Sequence, residues 1–141
     1  MSNTTGDPVN HPSHYMGDGI EAWDVIESWG MGYHIGNATK YILRAGKKDD
    51  ATQDAQKALV YIKRAMSNNV TCSMLADRKD GISEDRIVTA FGLTGHLAGA
   101  MVNLIHAIVG TRYYRGVCLR ACIGELDAYI SSRQRGSGSA Q

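Results

Sequence analysis

After Pro12 the chain contains no proline. A backbone with every N–H available can hold helix over long stretches. The apolar residues recur at three- and four-residue steps, the period of one helix face. No segment alternates as a half-buried strand would, and no internal repeat is present. An all-α fold follows: a compact bundle of about five helices behind an irregular N-terminal arm. At 141 residues the chain fits one domain with a real core.

The arm covers residues 1 to about 18, where Pro8 and Pro12 favour extended backbone at Asp7 and His11. A first helix is expected over Ile20–Trp29, with Ile20, Trp23 and Ile26 inward and Val25 and Trp29 widening the stripe. A second runs over Tyr33–Ala45, buries Ile35, Ala38, Ile42 and Ala45, and meets Gly46 as its stop. A third spans Thr52–Met66 on Ala55, Leu59, Ile62 and Met66 and ends at Asn68-Asn69. Ser83-Glu-Asp reads as a capped helix start. Two further helices cover Gly95–Val109 and Gly116–Arg133, the last with Val117, Leu119, Ile123, Leu126 and Ile130. Residues 1–135 form the domain in this reading, and 136–141 form a flexible Gly/Ser tail.

Charge and cysteine content bound the function. The formal net charge is +1, which argues against a general nucleic-acid coat or a polybasic membrane anchor. A small anionic ligand is compatible, because local clusters decide that. No export signal is visible at the N-terminus. Cys72, Cys118 and Cys122 are an odd number, expected as reduced buried thiols. Between Arg86 and Arg112 no charged residue occurs, long enough for a bilayer span. Thr94, His96, Asn103 and His106 are costly in lipid, so a central helix buried against other helices or a second subunit is expected.

Two segments carry the chemistry. Asn37, Lys40, Tyr41 and Arg44 lie on one side of the second helix, and Lys47 and Lys48 extend the positive region. A guanidinium can fork two phosphate oxygens, an ammonium supplies a point charge, and an amide and a phenol can place a sugar or base. The plain alternative is a solvated helix face with cations at its dipole-favoured end. Gly46-Lys47-Lys48 is not a Walker A loop, since Tyr41 and Lys48 stand where a glycine and a Ser or Thr are needed. In the arm, His11 and His14 are suited to ligand contact, to metal binding or to a structural clasp. His96 and His106 read as satisfied core or interface groups. The carboxylate pairs Glu21/Asp24 and Asp50/Asp54 suit magnesium or ordinary helix capping.

Taken in order, Val9-Asn-His-Pro-Ser-His-Tyr15, Gly36-Asn-Ala-Thr-Lys-Tyr-Ile-Leu-Arg-Ala-Gly-Lys-Lys48 and Asp54-x-x-Lys57-Ala58-x-x-Tyr61 resemble a bacteriophage nucleotide kinase family, also described as a small phage domain of unknown function. The resemblance covers residues 9 to 66 and leaves 67–135 as accessory or oligomerisation helices. It implies a nucleoside monophosphate kinase without a Walker motif. Such an enzyme takes a deoxynucleoside monophosphate and a nucleoside triphosphate donor, forms a homo-oligomer and works in the cytoplasm of the infected host cell. Neither nucleic acid nor membrane is an expected partner. Lys40, Arg44 and His14 take catalytic roles in this reading, and His11, Tyr15, Asn37, Tyr41, Lys47 and Asp54 bind the nucleotide. Magnesium enters only with the nucleotide, with no protein metal ligands assigned. The same surface suits a non-catalytic nucleotide or nucleotide-signal binder that antagonises host defence, or a magnesium-dependent pyrophosphohydrolase.

Overall fold

The computed structural model describes residues 7–47, 50–67 and 81–139. Lys48, Cys72 and the Asn68-Asn69 stop lie outside them. Among the described residues the fold is all-α, with no strand beyond an isolated antiparallel bridge between Met16 and Glu21. A 3₁₀ turn, Ser13–Tyr15, precedes α1 (Ala22–Ser28), α2 (Tyr33–Arg44), α3 (Ala51–Ser67), α4 (Glu84–Phe91), α5 (Gly95–Val109) and α6 (Arg112–Ser139).

Local chemistry sets the helix bounds. Glu21 and Asp24 form a capping box in which the Asp24 carboxylate accepts the Glu21 N–H at 2.8 Å, so α1 begins later than Ile20. Ser83 Oγ accepts from the Arg86 N–H at 3.3 Å and starts α4, as its sequence implies. Gly46, at φ +83°, turns the chain out of α2 in a conformation glycine adopts freely. α6 starts before Gly116 because Thr111 Oγ1 accepts the Tyr114 N–H at 3.3 Å. Its backbone continues to Ser139, where the sequence suggests a free tail from 136, because no left-handed glycine or proline stops it after Arg133.

α5 is the central helix. It packs most extensively on α6 and also meets α2 and α4, while α3 joins α2 to α6. Leu97, Ala100, Met101, Leu104, Ile105, Ala107 and Ile108 are buried there. Each large aliphatic side chain so buried contributes roughly 1.5–3 kcal/mol. One face of the uncharged length is thus buried by the chain's own helices, while Val109 is exposed and Val102 and Asn103 are half-buried. Among the described residues no helix is long and apolar enough to cross a membrane.

Two stripes differ from expectation. In α1 the buried positions are Ala22, Val25 and Trp29, while Trp23 is 47% exposed. Steps of three drift around a helix, and the step of three then four holds one face. In α6 Val117 turns outward, while Cys118 and Cys122 turn inward as expected of buried thiols. Both thiols are free, and burial pushes Cys122 far above the ordinary thiol range. His96 and His106 are not core groups. They sit half-exposed against Glu125 (3.5 Å) and Glu84 (3.0 Å), joining α5 to α6 and α4.

Candidate functional site

The arm is ordered from its own sequence outward. The Asp7 carboxylate accepts the Val9 and Asn10 N–H groups at 2.9 and 3.2 Å and the Asn10 amide at 2.8 Å. These bonds hold Asp7 below the usual carboxylate range. Pro12 then leads into the 3₁₀ turn, where the Tyr15 N–H reaches the Pro12 carbonyl at 3.0 Å.

Three residue pairs fasten the arm to the body. The His11 Nδ1 meets both oxygens of Glu21, at 2.9 and 3.0 Å. This carboxylate raises the His11 pKa above its ordinary value. The Tyr15 hydroxyl accepts from Arg44 Nη1 at 3.1 Å. The Asp18 N–H donates to the Ala90 carbonyl at 2.9 Å.

Between the arm and the helices lies a cavity of about 260 Å³. Pro12 and Tyr15 of the arm, Trp23 and Ile26 of α1, and Lys40 of α2 are among its walls. The size approaches the lower end of small-molecule clefts, about 300 Å³. A second depression of about 250 Å³ follows the first turns of α2, past Gly32, Tyr33, Gly36 and Asn37. The two share Ile26 and Lys40. An ammonium thus stands where two largely apolar recesses adjoin, an arrangement suited to an aromatic ligand with an anionic end.

The structure separates the site residues inferred from sequence into two groups. Tyr15 and Lys40 line the cavity, and His14 packs on the Tyr15 ring at 4.2 Å. His11 lies edge-on to Trp23 at 5.6 Å, at the cavity's border. Asn37 lines the second depression, its amide donating to the Tyr33 carbonyl at 2.8 Å. Tyr41 lies under Lys40, whose Nζ is 4.7 Å from the ring centre.

Arg44, Asp54 and Lys47 do not reach the cavity surface. Arg44 is 6% exposed, and its Nη2 donates to Asp54 Oδ1 at 2.6 Å across the α2–α3 interface. Its guanidinium also rests over the Tyr15 and Tyr41 rings. A fully buried carboxylate requires a cation, and Arg44 is the one α2 presents to it. The exposed-clamp reading of Arg44 overlooked this pairing. Lys47 Nζ donates to the carbonyls of Leu43 and Phe91, at 3.0 and 2.9 Å, tying the ends of α2 and α4 together. Desolvation lowers its pKa.

The carboxylate pairs are likewise engaged. Glu21 holds His11, Asp24 caps α1, Asp54 holds Arg44 and Asp50 accepts the Thr52 N–H at 2.9 Å. Among the described residues no three His, Cys, Asp or Glu side chains gather as a metal set. Sequence reasoning missed Trp23, assigned to the core, and Lys57, which reaches the Tyr41 ring from α3. The signal for Lys57 was its spacing from Asp54 and Tyr61 on one face of α3.

Comparison with known proteins falls on this same half of the chain. The family described as a protein of unknown function (DUF3310) matches residues 9–63. The Gene 1.7 protein of Enterobacteria phage T3 is 44% identical over 63 residues, which cover 38% of this chain and 38% of that protein. The chain therefore spans well under half the length of the curated relative it matches. No solved structure matches. These likenesses support a phage protein of unknown function, and the family match includes the arm, α1 and α2, which line the cavity.

Proposed function

We propose that the protein is a nucleoside monophosphate kinase that transfers a phosphoryl group to a deoxynucleoside monophosphate. The carrying observation is that Lys40 belongs to the walls of both adjoining recesses. Phosphoryl transfer needs two phosphates in line at one positive point, and little covalent chemistry from the protein. The acceptor's base and sugar occupy the arm cavity against Trp23 and Tyr15, and the donor lies along the second depression past Asn37. An oxygen of the acceptor phosphate forms a bond to the donor's terminal phosphorus as the bond to the bridging oxygen breaks. The donor leaves as the diphosphate. The acceptor is already an anionic nucleophile, so no protein base is needed. Lys40 offsets the charge that builds up in transfer, and His11 and His14 border the acceptor phosphate. Magnesium accompanies the donor's phosphates.

The test is a panel of deoxynucleoside monophosphates with triphosphate donors, read by chromatography for diphosphate product. Lys40→Ala is expected to abolish turnover with helicity intact. Near-normal turnover in that variant sinks the assignment. One observation favours a second reading, nucleotide binding without catalysis: Arg44 is committed to Asp54, which withdraws a guanidinium from the transferring group. Stoichiometric nucleotide binding with no product separates that reading from the first.

A further inference from the structure

On the α3 side of Lys40 the charges do not balance. Three cations stand over the single Tyr41 ring: Lys40 Nζ at 4.7 Å, Arg44 Cζ at 4.9 Å and Lys57 Nζ at 5.3 Å from its centre. A ring has two faces, so at least two of the three share one. Tyr61 stacks beside the ring at 6.0 Å and brings no charge. The carboxylate of this cluster is Asp54, and its bonded oxygen belongs to Arg44. Among the described residues neither Lys40 nor Lys57 is paired with a carboxylate. Attraction to the ring face offsets part of the repulsion between cations. It does not neutralise them.

We propose that Lys40 of α2 and Lys57 of α3, whose ammoniums both lie at the Tyr41 ring, form an anion site for the polyphosphate of a nucleotide. This rests on the reading of Lys40 as the meeting point of two nucleotides and adds Lys57 as the residue that holds the donor's chain of phosphates. A single phosphate satisfies one ammonium. A polyphosphate carries several charged oxygens along its length and bridges ammoniums that approach from different helices. Tyr41 serves as the spacer, since both ammoniums lie over its ring. The site is lysine-built, so it recognises charge and not a fixed fork geometry. Donors that differ in base are therefore expected to bind alike at this end.

The experiment is calorimetric titration of the whole chain with inorganic tripolyphosphate, for wild type, Lys57→Gln and Lys63→Gln. Lys63 is an exposed lysine of the same helix outside the cluster, so its variant controls for net charge. Wild type is expected to bind one equivalent, and Lys57→Gln to weaken binding at least about tenfold through loss of one charged hydrogen-bond partner. Lys63→Gln is expected to stay within about twofold, as removal of an exposed charge does. Circular dichroism verifies that both variants are folded. Equal affinity in Lys57→Gln and wild type, no binding by wild type, or preferential binding of a single-stranded oligonucleotide each overturn the proposal. This readout needs no turnover, so it stands apart from the kinase assay. If turnover is present, Lys57→Gln raises the donor KM about tenfold and leaves the acceptor KM near wild type.

Discussion

Asp54→Asn keeps the shape of a fully buried side chain and removes its charge. Arg44 Nη2 then faces an amide in place of a carboxylate at 2.6 Å, deep between α2 and α3. Breaking a buried ion pair costs about 3–5 kcal/mol, because the remaining charge stays out of water. Here the guanidinium keeps the Tyr15 hydroxyl at 3.1 Å and the faces of Tyr15 and Tyr41. Such contacts offset up to about 2 kcal/mol when desolvated, so about 3 kcal/mol is expected for Asp54→Asn. Arg44→Met leaves a carboxylate with no cation and no ring to soften it, so about 4–5 kcal/mol is expected there. Against a total stability of about 5–15 kcal/mol either loss is large. The pair is imperfect in the native state, since Arg44 Nε and Asp54 Oδ2 have no partner among the described residues. Replacing both, as in Arg44→Met with Asp54→Leu, should therefore cost less than either single change. Urea unfolding followed by circular dichroism is the assay. With a slope of about 1–3 kcal/mol/M, Asp54→Asn lowers the midpoint by about 1–3 M. A drop below about 0.3 M, or a double variant as unstable as the two losses added, refutes the reasoning.

Two further outcomes follow from the arm and the core. Glu21 raises the His11 pKa above its ordinary 6.5, so the clasp is fully made below pH 6.5 and is lost as pH rises through the raised value. An NMR titration of the His11 ring should give a midpoint above 6.5 that Glu21→Gln returns to it, and a wild-type midpoint at or below 6.5 contradicts the clasp. Gly81 abuts the Trp29 indole so closely that a methyl group there overlaps ring atoms, whereas one at Gly32 meets nothing within 4 Å. Gly81→Ala should cost about 1–3 kcal/mol in thermal unfolding and Gly32→Ala far less; equal melting temperatures for the two would show the packing argument wrong.

The sequence carried the helices further than their contacts. The stripes of α2 and α3 are legible because Ile35, Ala38, Ile42, Ala55, Leu59 and Ile62 repeat at true helix spacing. The face of α1 was misread because tryptophan is strongly apolar, and hydrophobicity alone does not tell a core ring from a cavity wall. The meeting of arm and α2 was legible as an ordered pair of motifs, and Tyr15 does reach Arg44. The burial of Arg44 was not, because it depends on which face of α3 the loop after Gly46 brings opposite α2. Asp54 stands only ten residues on, yet separation along the chain does not show that the two face each other. The covering of α5 was hidden for the same reason: an apolar helix advertises that it needs a partner, not which one.

The joints between the two halves of the chain have a chemical peculiarity. The Asp18 N–H ends on the Ala90 carbonyl, Lys47 on the Phe91 carbonyl, and Trp29 Nε1 on the Ile82 carbonyl, while the Ile82 N–H returns to Ser28 Oγ. In each, the partner from residues 82–91 is a main-chain group, which almost any amino acid supplies. At these four bonds the segment that resembles phage relatives is held by groups that do not depend on side-chain identity, whereas Gly81 against Trp29, Phe91 under Lys47 and Arg133 on Thr52 do depend on it. Substitutions within residues 82–91 that leave the main chain in place therefore leave those four bonds intact.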